Sequence, residues 1–590
     1  MAVLRYILLA AAITLTLALL AHLCLPARAP IPRRTGRRGG IAIAVLTAVY
    51  AVAAFWNLGS TRDPQQFCTF EAGESAVLAL ERETAIATVW YYPGLSTGEY
   101  TLAYSADGVT FTPAGTMPQG YADLFKWLQP EMAATAPATA AYVRITASAH
   151  MELGELALYD LQGERIGVRD IAGPASADAL CDEADTVPAA STYYNSTYFD
   201  EIYHGRTGYE QLHRLPVYET THPPLGKDFI MLGIALFGMT AFGWRCAGTL
   251  FGVLLVPLAW CFARRLTRKP WVAATAGVLL ALDFMRFSQS RLATIDVYGT
   301  FFILLGAYCM VWYCQRVLTD GVNRALLPMA LGGIAFGLGC AAKWTGIYAG
   351  AGLAVLYLGV LYARWQQKRP GFWAEFRTAA VGGVLFYVLL PLCLYIGSYL
   401  PYWWRDPAFS LSDWWQCQVS MFSYHATLKA THPFESRWYT WLLGLRPVWY
   451  YRNGYLPYGM KASIVGMAGP VIWLVGLAAL VGLLWHQVSG RGSRQGAGVL
   501  ILYGTQLIPW MLVTRCTFLY HYFPSSMFCL AALALVLARM KHADWAKKIA
   551  AGLCVVALVL FVLYYPALSG LPIPAWWADA LNALPSFGFY

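Results

Sequence analysis

The chain has 590 residues, of which 58% are hydrophobic, 13% charged and 15% aromatic, and its mean hydropathy is +0.48. A soluble protein cannot hide that much apolar surface, because burial in a single core saturates as domains grow. The net charge of +10 would suit nucleic acid, but its distribution in short clusters between apolar runs excludes that partner.

The first apolar run, Val3 to Leu25, offers only Arg5 as a basic leader and no clear small-residue cleavage site, and a second run, Ile41 to Trp56, follows closely. It reads as a retained helix rather than a cleaved signal. Arg28, Arg33, Arg34, Arg37 and Arg38 lie between these two runs, and Arg264, Arg265, Arg268 and Lys269 follow the third. Arg364, Lys368 and Arg369, then Arg491 and Arg494, then Arg539, Lys541, Lys547 and Lys548 continue the series. Basic loops at every second crossing are the positive-inside pattern. It predicts an α-helical polytopic membrane protein with about twelve spans, near 4–25, 40–57, 242–263, 270–284, 296–315, 326–341, 345–363, 377–398, 464–486, 497–514, 522–539 and 548–565. The fourth and sixth are short enough to be tilted or incomplete. Both termini then lie outside, the tail being 566–590.

Two large segments fall on the outer side, 58–241 and 399–463. Within the first, 58–190 changes character. Glu99-Tyr-Thr-Leu-Ala-Tyr-Ser105 and Ala141-Tyr-Val-Arg-Ile-Thr146 alternate in polarity as half-buried strands do, and Ser105-Ala-Asp-Gly108 supplies a turn. This predicts an inserted extracytoplasmic β-sandwich. The succession Tyr100 to Phe111, Tyr142-Val-Arg-Ile145 and Leu153-Gly-Glu-Leu-Ala-Leu-Tyr-Asp160 resembles discoidin-like, carbohydrate-binding jelly-roll modules, and a spacer is the competing role. Cys68 and Cys181 bracket this insert on the face where disulfides persist, so a bond closing its neck is expected. Two free thiols are the other reading, since sequence does not establish how near their Cα atoms come.

The segment 191–241 carries Phe199-Asp-Glu-Ile-Tyr-His-Gly-Arg206 and Tyr218-Glu-Thr-Thr-His-Pro-Pro-Leu-Gly-Lys227. An adjacent Asp200-Glu201 pair beside the membrane can supply a general base, or can be a solvated acidic pair. Other charges gather at the same face. Arg291 and Asp296 stand at the outer end of the fifth span, Lys343 at the turn between the sixth and seventh, Arg446 in the second outer loop, and Arg515 with Tyr520-His-Tyr522 after the tenth. Membrane-proximal charges are costly unless paired or functional, and arginine matches phosphate with two parallel hydrogen bonds, so an anionic ligand at the lipid boundary is expected. Snorkelling toward headgroups is the alternative for any one cation.

Phe199-Asp-Glu, His222-Pro-Pro-Leu-Gly-Lys227, Ser290-Arg291 with Asp296, Lys343-Trp-Thr-Gly346, His432-Pro-Phe-Glu-Ser436, Arg446-Pro with Trp449-Tyr-Tyr451, and Tyr520-His-Tyr-Phe-Pro524 together resemble the protein O-mannosyltransferase family of GT-C glycosyltransferases, in order from Tyr198 to the C-terminal end. Two features depart from the family pattern: a helix and the β insert precede the acidic pair, and the loop 399–463 is too short for the β-trefoil that eukaryotic members carry.

The resemblance implies transfer of mannose from a polyprenyl-phosphate (or dolichyl-phosphate) carrier to Ser or Thr hydroxyls of exported proteins, with inversion. Asp200 would deprotonate the acceptor and Glu201 would position it or the acceptor. Arg291, Lys343 and Arg515 would hold the carrier phosphate, with His222, Asp296, Arg446 and His521 as further sugar, phosphate or scaffold contacts. Such a displacement requires no covalent protein nucleophile, and no obligatory cofactor or metal is expected. A divalent cation is optional, and no ligand spacing such as a His-x-x-x-His pair is present. The short outer loop favours a bacterial plasma membrane with the active site facing outside. A transferase acting on a glycolipid or wall polymer is the competing reading from the same donor. A transporter or sugar receptor is disfavoured by the absence of internal duplication.

Overall fold

The computed structural model describes residues 36–134, 139–368, 370–454 and 456–582. The expected span 4–25, with Arg28, Arg33 and Arg34, lies outside the described residues.

Helix α1 (Arg37–Phe55) turns Ile41, Val45, Val49 and Val52 outward at spacings of three and four. Its inner residues Tyr50 and Ala54 pack against later helices. Strands β1 (Cys68–Phe70), β2 (Ser75–Ala85), β3 (Thr88–Pro93), β4 (Gly98–Ser105), β5 (Thr112–Gln119), β6 (Glu131–Met132), β7 (Thr139–Ala147), β8 (Met151–Tyr159) and β9 (Val168–Ala172) follow. They form two antiparallel sheets, ordered β6-β5-β4-β7-β2-β9 and β1-β8-β3. One buried core draws on both: Leu78, Tyr100, Leu102 and Ile145 from the larger, Phe70, Tyr91, Met151 and Leu153 from the smaller.

The neck of this module corrects the disulfide expectation. Cys68 and Cys181 are free thiols. Cys68 lies opposite Leu153 on β8, while Cys181 Sγ donates to the carbonyl of Leu156. A carboxylate closes the neck instead. The backbone amides of Gln65 and Gln66 both donate to Glu183 Oε2, at 2.7 and 3.0 Å, and Gln66 Nε2 donates to Asp182 Oδ2 at 2.7 Å.

The helices α2 (Glu201–Leu212) and α3 (Leu225–Phe237) lead to α4 (Ala241–Thr267), capped by the Thr240 hydroxyl on Gly243 N and ended by Arg268 at φ +63°. The bundle continues with α5 (Pro270–Ala281), α6 (Phe284–Ser290), α7 (Asp296–Asp320), α8 (Leu326–Ala342), α9 (Thr345–Gln366), α10 (Phe372–Arg405), α11 (Leu411–Thr427), α12 (Val471–Val488), α13 (Arg494–Leu507), α14 (Leu519–Arg539) and α15 (Ala543–Ser569). Among the described residues, eight helices are long and apolar enough to cross a membrane, or nine if α5 and α6 form one bent span.

The fourth and tenth expected spans take a different form, while the sixth is as short as expected. The fourth breaks by 55° between α5 and α6, because the Asp283 side chain caps α6 by accepting from Arg286 N at 3.0 Å. Arg286 in turn donates to the carbonyls of Leu280 and Ala281 that α5 leaves open. The sixth, α8, has 17 residues, about 26 Å of rise against a hydrocarbon layer of about 30 Å. The tenth, α13, has 14 residues and tightens into a 3-10 turn at Ile508–Met511, where Pro509 withholds an amide. The ninth begins later than expected: Ser463–Gly466 is strand β11, antiparallel to β10 (Val448–Arg452).

If carboxylate hydrogen bonds close the neck, Glu183→Ala should make the module more protease-sensitive, by about 1–2 kcal/mol of local opening. Cys68→Ala with Cys181→Ala should leave the digestion pattern of unreduced membranes unchanged. Increased sensitivity of the double alanine variant only under non-reducing conditions would reinstate the disulfide.

Candidate active site

Asp200 and Glu201 are neighbours in sequence with opposite environments. Asp200 is the N-terminal flanking residue of α2, and its side chain makes no capping hydrogen bond there. It also forms no ion pair with any described residue. Phe199 before it adopts φ +51°, a left-handed conformation costing about 1 kcal/mol or more for a non-glycine residue. The Phe199 ring is held there by Tyr450, 4.6 Å away between centroids, and Tyr520, at 6.2 Å. Burial, with the nearby Asp296 carboxylate, pushes the Asp200 carboxyl up to about 7; Lys343 pulls the other way, and Glu219 adds to the rise.

Glu201 is fully buried and spent. Arg245 of α4 donates to both its carboxylate oxygens at 2.7 Å, and Ala293 N donates to Oε1 at 3.0 Å. Arg245 also donates to the carbonyls of Leu58, Tyr193 and Ser196. The second acid is a brace for the loop that carries the first.

Lys343 ends α8 in extended conformation and pairs with Asp296, the first residue of α7, at 2.6 Å. It lines a cavity of about 340 Å³ with His222 and Pro223 before α3, Trp344, Thr345 and Tyr348 at the start of α9, Phe422 and His425 of α11, and Trp510 with Leu512 to Arg515 after α13. Four basic side chains, His222, Lys343, His425 and Arg515, thus share one wall set with Phe422, Leu512 and Val513. Among the described residues, Arg515 makes a single side-chain hydrogen bond, to the carbonyl of Cys516 at 3.1 Å, which leaves most of its fork uncommitted by them.

His222 is oriented by Glu219, whose Oε1 lies 3.1 Å from His222 Nδ1. Burial alone would raise Glu219, but Lys227, 2.5 Å from Oε2, and His222 outweigh it and hold its carboxyl well below the usual range. An ionised Glu219 takes the Nδ1 proton as its donor, so Nε2 is the nitrogen left for a ligand. Burial lowers the proton affinity of His222, as it does for His204 (about 3) and His425 (about 4). His425 accordingly uses Nε2 against the Thr221 carbonyl at 2.8 Å.

The structure brings Asp200, Asp296, Lys343, His222 and Arg515 together and leaves three other expected residues elsewhere. Arg291 donates to the carbonyls of Ala54, Trp56 and Asn57, so its guanidinium satisfies the open end of α1 rather than a cavity ligand. Arg446 is exposed ahead of β10 and is absent from the cavity lining. His521 sits behind the wall, its ring 4.4 Å from Trp510 and stacked on Trp441 at 5.9 Å. Sequence reasoning gave no role to Glu219, Lys227, His425 or Arg245. Arg245 had a signal, being the lone charge at the start of an apolar span, where an unpaired cation is untenable. Among the described residues, no group of three or more His, Cys, Asp and Glu side chains is placed to hold a metal ion.

Two family models match this framework. One, described as dolichyl-phosphate-mannose-protein mannosyltransferase, covers residues 189–405; the other, the C-terminal four TMM region of protein-O-mannosyltransferase, covers residues 410–587. The chain belongs to the protein O-mannosyltransferase family. The polyprenol-phosphate-mannose–protein mannosyltransferase of Mycolicibacterium smegmatis is 29% identical over 441 residues, covering 64% of this chain and 84% of the relative. Its Mycobacterium tuberculosis H37Rv counterpart is 28% identical over 415 residues, 60% and 78% of the two chains. The fold is that of the Saccharomyces cerevisiae protein O-mannosyltransferase Pmt1-Pmt2 complex bound to the sugar donor, with a TM-score of 0.59 at 13% identity over 67% of this chain and 89% of that one. This member of the family is therefore a polytopic GT-C membrane protein, and its β module lies wholly before the matched residues.

If Glu201 is the brace, Glu201→Ala should lower thermal stability in detergent by about 3–5 kcal/mol, because Arg245 is left buried without its carboxylate. Asp200→Asn should melt within a few degrees of the parent. Equal melting of the Glu201→Ala variant and the parent would assign the brace elsewhere.

Proposed function

We propose that this chain transfers mannose from a polyprenyl-phosphate carrier to Ser or Thr hydroxyls of exported proteins, with inversion, at the outer face of a bacterial plasma membrane. The observation that carries the reading is the asymmetry of the acidic pair. Glu201 is consumed by Arg245, whereas Asp200 is left uncommitted in one electrostatic group with Lys343, which lines the cavity.

The acceptor oxygen attacks the anomeric carbon, and its proton passes to Asp200 as the bond forms. The carbon–oxygen bond to the carrier phosphate breaks on the opposite side, and the phosphate leaves with the electron pair. Lys343 and Arg515 meet that developing charge, and neutral His222 offers Nε2 to a sugar hydroxyl. Asp296 keeps Lys343 in place. Phe422, Leu512 and Val513 line the cavity; Phe422 and Leu512 are also 67% and 51% exposed, an apolar rim suited to an isoprenoid tail. Helix α11 continues that rim through Leu411, Trp415 and Val419, spaced by fours and exposed, as a helix lying at the lipid boundary would. We read the full crossing count as twelve, with 4–25 as the first, and the module as a jelly-roll-like sandwich; the basic loops and the two-sheet core support these readings. No metal is given a role.

With labelled polyprenyl-phosphate mannose and a threonine-containing peptide, Asp200→Asn should lower turnover by roughly 10²-fold or more, while donor binding survives. Since Asp200 accepts a proton only when ionised and its carboxyl is pushed up to about 7, parent kcat/KM should rise with pH through an acidic limb near 7. A limb near 4, or label in lipid rather than peptide, would contradict the assignment. Arg515→Ala should raise donor KM by roughly tenfold or more, as loss of charge-assisted hydrogen bonds does; an unchanged donor KM would remove Arg515 from the phosphate site.

A further inference from the structure

Beyond the base and the cavity, the β module contributes a side chain to the helix that Asp200 begins. The loop between β5 and β6 is turned by Asp123, whose carboxylate accepts from Gly120 N at 2.8 Å, and its next residues are driven into the core of the helical part. Leu124, Phe125 and Trp127 are buried there. Phe125 packs on Tyr209 of α2 with ring centroids 5.3 Å apart, and Thr197 Oγ1 donates to the Leu124 carbonyl at 2.8 Å. That anchoring fixes Tyr121 against Tyr203 of α2, at 5.4 Å, and Tyr218, at 5.0 Å.

Tyr203 of this cluster stands one turn from the base. Tyr203 N donates to the Asp200 carbonyl at 3.1 Å. His204, the next residue, has its Nδ1 4.0 Å from Glu219 Oε2. The first turn of α2, which Asp200 begins, thus meets the tyrosine cluster through Tyr203 and the Glu219–His222 group through His204. Tyr218 is 49% exposed yet fixed: the Arg206 guanidinium lies 4.2 Å over its ring, and its amide donates to Glu210 at 2.7 Å. Tyr121 and Tyr203 are partly buried beside it, and rigid tyrosines give contact area at low entropic cost and are enriched where polypeptides are bound. Arg206 is itself spent on Glu210, at 2.6 Å, so the cluster offers no free cation to a phosphate or lipid headgroup. The rings are tilted by 41° and 44° and form no flat platform for a sugar.

We propose that Tyr121, Tyr203 and Tyr218 form the docking surface for an extended acceptor polypeptide, with Tyr121 supplied by the β module. The inference rests on the transferase reading and deepens it; Tyr121 lies outside the residues matched by the family models. The test is steady-state kinetics of the full-length protein with polyprenyl-phosphate mannose and a threonine-containing peptide. Tyr121→Ala should raise peptide KM about tenfold with kcat and donor KM unchanged, and Tyr121→Phe should restore most of the affinity. A fall in kcat at constant peptide KM would mean that Tyr121 only props α2, and no change in either would mean that the cluster is inert; both overturn the proposal. Should the alanine variant fail to fold, p-benzoylphenylalanine at position 121 replaces it. Light-dependent coupling to the peptide supports docking, and an active photo-variant that yields no adduct overturns it. If the parent itself transfers no mannose to peptide, the functional reading fails and the docking proposal falls with it.

Discussion

The buried pair between Arg245 and Glu201 is the contact on which the outer half of the molecule depends. A guanidinium without exposed surface is sustainable only if its donors are used, and here they reach the carbonyls of Leu58, Tyr193 and Ser196 as well as both Glu201 oxygens. Those partners are the exit from α1, the return from the β module and the first turn of α2. One side chain at the top of a membrane helix therefore fixes where the insert leaves, where it comes back and where the acidic pair stands.

The same economy separates structural from available charge throughout the site. Arg291 completes the end of α1, Arg286 completes the end of α5, and Lys227 is enclosed by Glu219 and two carbonyls. What is left with capacity for a ligand is a smaller set: Asp200, the Lys343–Asp296 pair, the outward nitrogen of His222 and most of the Arg515 fork. Because each committed cation satisfies a helix end or a carboxylate, the available ones are held by a rigid surround, which is the condition for stabilising a leaving group without reorganisation.

The β module is built into this arrangement rather than hung from it. Its neck is closed by Glu183 on two backbone amides, and its loop of Leu124, Phe125 and Trp127 shares a core with α2. The module is thus in contact with the helix that starts at Asp200, a coupling that no tether of its length would need.

Much of this was legible in the residues. Apolar length and alternating basic loops established a polytopic membrane protein, polarity alternation located β4 and β7, and the ordered motifs from Phe199 to Pro524 pointed to the family and to Asp200, because these signals are local and periodic. The broken fourth span was also written locally, in Asp283 and Arg286, but apolar composition masked it. Only the tertiary structure decided which charges are free. Arg291 and Arg515 look alike in sequence, each an outer-face arginine near a span end, and they part because the carbonyls of Ala54, Trp56 and Asn57, more than 200 positions away from Arg291, meet one guanidinium and not the other. The cysteines are settled by their partners in the same way: Cys68 faces Leu153 on β8 and Cys181 bonds the Leu156 carbonyl, and both stay free thiols.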